Sequence, residues 1–248
     1  MNKTVSIIMP CHNCERFIRE AINSVLTQSY KDWELLIIDD NSVDKSIEII
    51  NYFLNKDKRI RFFQTSKSTG YPATPRNIGI KNATGRFIAF LDSDDQWLPS
   101  KLERQVPLFS NDKVAVVFSN YLKIDSNGKE IGCVENSNNG NYQLLLKGNF
   151  IGNLTGIYDI SKVGKIYQKE IKHEDYLMWL TILRNDYKAI NTNTLEAKYR
   201  VHKESVSTNK FALLTWQWKI YRNQLNLSML RCMYYYFCYA LNAIKKYR

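Results

Sequence analysis

Four times in the first 120 residues a short β-branched run is followed by a longer stretch of helical periodicity. No other feature restricts the fold as tightly. Val5 to Met9, Leu35 to Ile38, Arg61 to Gln64 and Arg86 to Leu91 read as strands, and Val114 to Phe118 as a fifth. Between them, Glu15 to Gln28 carries an apolar stripe through Phe17, Ile18, Ala21, Ile22, Val25 and Leu26, spaced for one face of a helix. Ser46 to Leu54 and Pro99 to about Phe109 read the same way. Thr74 looks like an N-cap with Pro75 at the first helical position, opening a helix that runs to about Asn82. Repeated β-α units predict an α/β fold with a mainly parallel sheet and helices on both faces. Ligands of such sheets bind beyond the carboxyl ends of the strands, so the chemistry is expected there.

The segments that follow the strands are unusually polar. After the first comes Pro10-Cys11-His12-Asn13, and after the second Asp39-Asp40-Asn41-Ser42. The third is followed by a loop with Gly70 and then Arg76-Asn77, and the fourth by Asp92-Ser93-Asp94-Asp95. An isolated D-x-D is most often a solvated acidic turn. Here two acidic clusters fall on the ligand edge of adjacent strands, and uncompensated carboxylates at such spacing repel. A divalent cation would resolve that: Mg²⁺ or Mn²⁺ takes one or two carboxylates and completes its shell with water and substrate phosphates. One acid of Asp39-Asp40 could instead cap the helix near Lys45. No Walker loop and no G-x-G-x-x-G occurs.

Further along, Ser126 to Asn149 is rich in Asn, Gly and Ser and reads as a turn or mobile loop. Glu174 and Asp175 begin a helix to about Arg184, where they either complement the helix dipole or expose a general base. Glu196 to Val201 reads as a strand that delivers Arg200 and His202, with Ser205 and Ser207 behind them. The five cysteines are irregularly spaced; Cys11 and Cys14 form a C-x-x-C with no second pair to complete a zinc site, and read as reduced thiols in a loop.

Charge is uneven. The chain carries +11, and Lys210 to Arg248 supplies +7 of it, with no acid and ten aromatic residues. Such a tail suits a polyanionic surface. Its apolar stretch from Cys232 to Leu241 is too short to span a bilayer but suited to interfacial burial; the alternative is that its aromatics pack back on the globular part. The N-terminus lacks a signal-peptide pattern. The expected location is therefore cytoplasmic, peripheral on the inner face of the plasma membrane.

Taken in order, VSIIMPCHN, SVLTQSY, WELLIIDDNSVD, PRNIGIKNATGRFIAFLDSDD with QWLP behind it, HEDYLMW and YRVHKESVS resemble the family 2 glycosyltransferases of GT-A fold, over residues 4 to about 208. The tail is similar to that of bacterial enzymes building surface polysaccharides such as O-antigen, capsule and teichuronic acid. The chain is expected to divide into a nucleotide-sugar-binding half at 1–120, an acceptor-binding half at 121–209 and, from the charge and aromatics above, a helical membrane-associating tail at 210–248. The resemblance implies that Pro10 and His12 line the uracil pocket, with Asn13 and Asp39 beside it, and that Asp40 accepts from the uracil ring. Arg76 would lie near the pyrophosphate. Asp92 and Ser93 would contact the nucleotide sugar. Asp92, Asp94 and His202 would hold Mn²⁺ or Mg²⁺, with Asp95 and Arg200 in support. Asp175 would be the base, with Glu174 as the alternative. His12 stands where the family commonly has tyrosine, which implies weaker stacking on the base.

The implied activity is single displacement with inversion. A hexose would move from a UDP-sugar, UDP-glucose or UDP-galactose favoured, to a sugar on a polyprenyl pyrophosphate. A nucleotidyltransferase and a non-catalytic carbohydrate-binding protein are the rival readings. Nucleic acid is not an expected partner, because it leaves the acidic edge without a role.

Overall fold

The computed structural model describes residues 3–136, 139–202 and 210–246. Strand β1 (Val5–Cys11) pairs in parallel with β2 (Trp33–Asp39) on one side and β4 (Phe87–Phe90) on the other, and β2 pairs in parallel with β3 (Ile60–Gln64). Helices α1 (Ile18–Leu26), α2 (Ser46–Leu54) and α3 (Ala73–Asn82) make the crossovers. Strand alternation sorts the side chains. Ile7, Met9, Leu35, Ile37 and Ala89 meet the core under α1 and α2, while Ile8, Leu36, Ile38, Ile88 and Phe90 face the opposite core with Ile80 of α3. Both faces are covered, which is why these strands read as continuous apolar runs.

Beyond β4 the sheet continues through further strands. A two-residue strand, β5 (Gln96–Trp97), is followed by α4 (Lys101–Gln105), then β6 (Val114–Ile124), β7 (Glu130–Val134), β8 (Asn139–Asn141), α5 (Tyr142–Leu146), β9 (Ile157–Asp159), α6 (Ile160–Val163), α7 (Glu174–Leu183) and β10 (Lys188–Arg200). The order across the sheet is β3-β2-β1-β4-β9-β6-β10-β5, with β7 on β6 and β8 on β10. β9 runs antiparallel to both neighbours, β4 and β6. The last segment is α8 (Lys210–Lys219), a π-helical turn (Ile220–Gln224) and α9 (Met229–Lys246).

Several expected elements are redrawn. Helix α3 begins at Ala73 with Pro72 in the cap position, so Pro75 sits in the first turn, where a missing N–H costs nothing. The helix expected over 99–109 is α4 followed by a 3₁₀ turn, Val106–Ser110, around Pro107. The supposed loop at 126–149 holds two strands and a helix. Its Gly128 takes φ +82° in the β6–β7 turn, and Asn141 caps α5 by accepting from the Leu144 amide at 3.0 Å. Strand β10 begins eight residues earlier than its apolar end suggests, bulging through Asn191–Leu195.

The C-terminal helices pack back on the sheet with one side only. Ile220, Tyr221 and Cys232 are buried, and Trp218, Tyr235 and Tyr236 pack against the same core. Leu230, Met233, Tyr234, Phe237 and Leu241 of α9 stay exposed. No helix among the described residues is long and apolar enough to cross a membrane.

Candidate active site

The ends of β1, β2 and β4 and the start of α3 enclose a cavity of about 470 Å³, lined by Pro10, His12, Asp40, Tyr71, Arg76, Asp92, Ser93 and Asp94 among others. Asn13 and Asn41 take left-handed backbone (φ 48° and 62°) as the chain leaves β1 and β2, a conformation asparagine tolerates. The turns are tied together. Asn13 Oδ1 accepts from the Val43 amide at 2.9 Å, and the His12 ring lies 2.8 Å from the Asp40 carbonyl oxygen.

The two acids ending β2 do different work. Asp39 is fully buried and accepts from the Ser42 amide at 3.0 Å and from Gln64 Nε2 at 3.2 Å, so it holds the turn rather than lining the cavity. Asp40 lines it. Its carboxylate accepts from the Thr69 amide at 2.9 Å, Thr65 Oγ1 at 2.9 Å and Thr69 Oγ1 at 3.0 Å. Burial pushes Asp40 up, but these donors outweigh it and hold the carboxyl below its ordinary range.

Arg76 is the pivot. Only 5% exposed, it donates from one terminal nitrogen to Asp92 Oδ1 at 2.7 Å and from the other to Glu174 Oε1 at 2.8 Å. Burial works against its charge, but the two carboxylates more than restore it and raise its pKa. Gln168, from the segment before α7, also reaches it at 3.4 Å. With Glu174 committed to Arg76, the neighbouring Asp175 makes no salt bridge among the described residues. Burial, then the Glu174 charge, pushes the Asp175 carboxyl up to about 6 against the pull of Arg76.

Asp94 faces His202, whose Nε2 lies 2.8 Å from Asp94 Oδ2. Burial and then the charge of Asp92 push Asp94 up, and His202 pulls it partly back. Asp95 is buried behind the rim and accepts from the Arg200 amide at 2.8 Å. Arg200, 2% exposed, donates from Nε to the Asp94 carbonyl at 2.8 Å and reaches Glu20 at 2.7 Å, with its guanidinium 4.3 Å above the Phe17 ring. Arg200 and Asp95 thus fix the 92–95 turn from behind.

Asp92, Asp94 and His202 offer hard oxygens and an imidazole at one rim, a donor set suited to a hard divalent cation. Asp94 is pushed up first by burial and then by the Asp92 charge, and a bound cation would offset both. Asp92 is held by Arg76 and Asp94 by His202, and no ready-made cluster of three or more His, Cys, Asp or Glu ligands exists among the described residues. Ser205 and Ser207 lie outside the described residues. Cys11 and Cys14 are both buried, as free thiols.

Sequence reasoning missed the hydroxyl donors Thr65, Ser68 and Thr69, the arginine partner Gln168, and Tyr71 on the cavity wall. The run Thr65-Ser66-Lys67-Ser68-Thr69 after a strand was the available signal, since three hydroxyl residues in a loop can cage a carboxylate.

A sheet of this order with an acidic rim at its carboxyl edge is the GT-A architecture of nucleotide-sugar transferases. The chain belongs to glycosyl transferase family 2, whose model matches residues 6–171. It is 37% identical, over 98% of this chain and 94% of the relative, to the Escherichia coli UDP-Glc:alpha-D-GlcNAc-diphosphoundecaprenol beta-1,3-glucosyltransferase WfgD. The S. aureus protein TarS, solved with UDP-GlcNAc, superposes with a TM-score of 0.69 at 21% identity, over 89% of this chain and 67% of that one. The mannosyltransferase PcManGT from Pyrobaculum calidifontis, solved with GDP-Man and Mn2+, gives a TM-score of 0.71 at 14% identity, over 98% and 73%.

Proposed function

We propose that this chain is an inverting hexosyltransferase that moves glucose from UDP-glucose to N-acetylglucosamine on a polyprenyl diphosphate, forming a β-linkage in surface polysaccharide synthesis. The observation that carries the reading is the unequal state of Glu174 and Asp175. One is locked to Arg76; the other is held near neutrality, where a general base works best. The glucosyl transfer from UDP-Glc to GlcNAc-diphosphoundecaprenol by WfgD supports the donor and the acceptor. An α-linked donor yielding a β-product requires inversion at the anomeric carbon, which a single base on the acceptor side accomplishes in one displacement.

Residues 1–120 form the donor half in this reading and 121–209 the acceptor half. Asp40, held ionised by the Thr69 amide and its hydroxyl donors, accepts from the uracil N–H. Pro10, His12 and Tyr71 flank the base, and Tyr71 provides an aromatic face where His12 has its ring nitrogen drawn toward the Asp40 carbonyl. Asp92 and Asp94, with His202, would hold a divalent cation, Mn²⁺ or Mg²⁺, which when bound would supply Lewis-acid neutralisation of charge on the leaving diphosphate. Arg76 ties the donor rim to the acceptor side through Asp92 and Glu174. Asp175 takes the proton from the attacking hydroxyl, contributing roughly 10²–10⁴-fold.

The exposed apolar stripe of α9, with its basic surroundings, is suited to rest on an anionic membrane surface. That would bring the site to a lipid-linked acceptor and place the enzyme peripherally on the inner face of the membrane.

The test is transfer from UDP-glucose and, separately, UDP-galactose to a synthetic α-GlcNAc-diphosphate lipid, with product anomericity read by NMR. A β-glucosyl product supports the proposal; an α-product or an absence of transfer from UDP-glucose contradicts it.

A further inference from the structure

A second cavity, of about 220 Å³, lies on the acceptor side, and none of the roles assigned above uses it. Its wall includes Tyr121 of β6, Asn149 and Gly152 from the segment before β9, His173 at the start of α7, Gln217 of α8 and Tyr239 of α9. His173 and Tyr176, both in the lining, bracket Asp175, so the turn that carries the proposed base also builds this wall. The family-model match ends at residue 171, ahead of the α7, α8 and α9 contributions.

His173 Nε2 is buried here without a hydrogen-bond partner, and Gln217 Nε2 makes no bond of good geometry although its amide lies against the Tyr176 and Tyr221 hydroxyls. Gln217 is only 1% exposed. Leaving a buried donor unmet costs about 1–3 kcal/mol, so such groups usually await a ligand or water. His173 is also held in left-handed backbone (φ 61°), with its ring 5.5 Å from Trp216 of α8. Histidine, like asparagine and aspartate, tolerates this conformation better than other side chains, and here it fixes the ring against the cavity wall.

The lining contains no Asp, Glu, Lys or Arg. Burial lowers the His173 pKa, against the charge of Glu174, which favours the neutral ring. A nucleotide, a diphosphate or a metal ion would find no counter-charge here. An uncharged ligand rich in oxygen acceptors, with a flat apolar face for the tyrosines, matches both the unmet donors and the aromatic walls.

We infer that this cavity is a saccharide subsite that seats an uncharged pyranose of the acceptor, with Gln217 and His173 donating to its oxygen atoms. The inference rests on the glycosyl acceptor proposed above and adds where that sugar is read. It makes the C-terminal helices part of substrate recognition, since Gln217 and Tyr239 belong to them.

The experiment is saturation-transfer NMR on the full chain in the presence of UDP, with the methyl α-pyranosides of N-acetylglucosamine, glucose and galactose as probes. Two variants are compared with the wild type. Gln217→Leu removes the donor at similar volume. Gly152→Ala adds a methyl group to the wall, where its nearest neighbour would be the Tyr121 ring at an ordinary 3.4 Å, so the fold accommodates it. The wild type is expected to bind at least one probe, N-acetylglucosaminide foremost. Both variants should bind it about tenfold more weakly, the loss of one buried hydrogen bond or its equivalent in space, with UDP affinity unchanged. No saturation of any probe by the wild type, or equal affinity in wild type and both variants, overturns the inference. Failure of glucosyl transfer with intact, variant-sensitive probe binding would instead overturn the proposed reaction.

Discussion

Arg76 and Glu174 are 98 positions apart in the chain and 2.8 Å apart in the fold. The guanidinium that binds Glu174 binds Asp92 with its other arm, so one buried cation joins the end of β4 to the start of α7. Both Asp92 and Glu174 are thereby engaged by Arg76, and the proposed mechanism assigns proton transfer to Asp175.

The first consequence separates two adjacent acids. Asp175→Asn should keep UDP affinity and lower the transfer rate by roughly 10²–10⁴-fold. Glu174→Gln should retain measurable turnover but destabilise the protein by about 1–3 kcal/mol, because a charge-assisted bond to a buried arginine is weakened. Steady-state kinetics with urea unfolding distinguishes them, and near-normal turnover in Asp175→Asn would transfer the base assignment to Glu174.

The pH dependence of rate and of stability should run in opposite directions. A base at about 6 is ionised above that value, so the transfer rate falls as pH drops through 6. The folded value lies above that of a free carboxylate, so the folded state holds the proton longer than the unfolded chain. The stabilising share of this group is complete below the free-carboxylate value and is lost as pH rises through 6. Asp175→Asn should therefore melt higher than wild type at pH 8, by on the order of 2–4 °C, and the gap should close near pH 4. Melting curves across that range check it; a constant gap contradicts the origin assigned to it.

How much of this was readable beforehand depends on whether a residue's work is local. The parallel strands announced themselves because β1, β2 and β4 are covered on both faces, and their acidic ends followed directly. β10 was half hidden, since its Asn191 to Thr194 stretch is polar and bulged and reads as a loop. The Arg76–Glu174 pair could not be read from spacing, because it depends on how far apart in the chain two partners meet. Asp39 and Asp40 are adjacent and look alike in sequence; only the three-dimensional placement of Ser42, Gln64, Thr65 and Thr69 tells the turn-holding acid from the cavity-lining one.

Close packing of α3 on the sheet makes Gly79 a sensitive position. A Cβ there would stand 2.5 Å from Ile8 Cγ2 and 2.9 Å from Ile38 Cδ1. Gly79→Ala should cost about 1–3 kcal/mol through overpacking and tilt the helix that carries Arg76. Urea unfolding measures the first effect and UDP affinity the second.

The outer stripe of α9 gives a test that leaves the fold alone. Leu230, Met233 and Phe237 are exposed. Replacing all three with Gln should leave the melting temperature unchanged. Flotation with vesicles containing anionic phospholipid should drop sharply, since each buried apolar side chain is worth about 1.5–3 kcal/mol. Equal flotation of the wild type and the triple variant would contradict membrane contact through this face.

The metal rim is tested by calorimetric titration of UDP into the wild type and Asp94→Ala, each with Mn²⁺ and with EDTA. Mn²⁺ should strengthen UDP binding to the wild type, and Asp94→Ala should lose this dependence while remaining folded. UDP affinity indifferent to Mn²⁺ in the wild type, or an undiminished response in Asp94→Ala, would contradict the metal assignment.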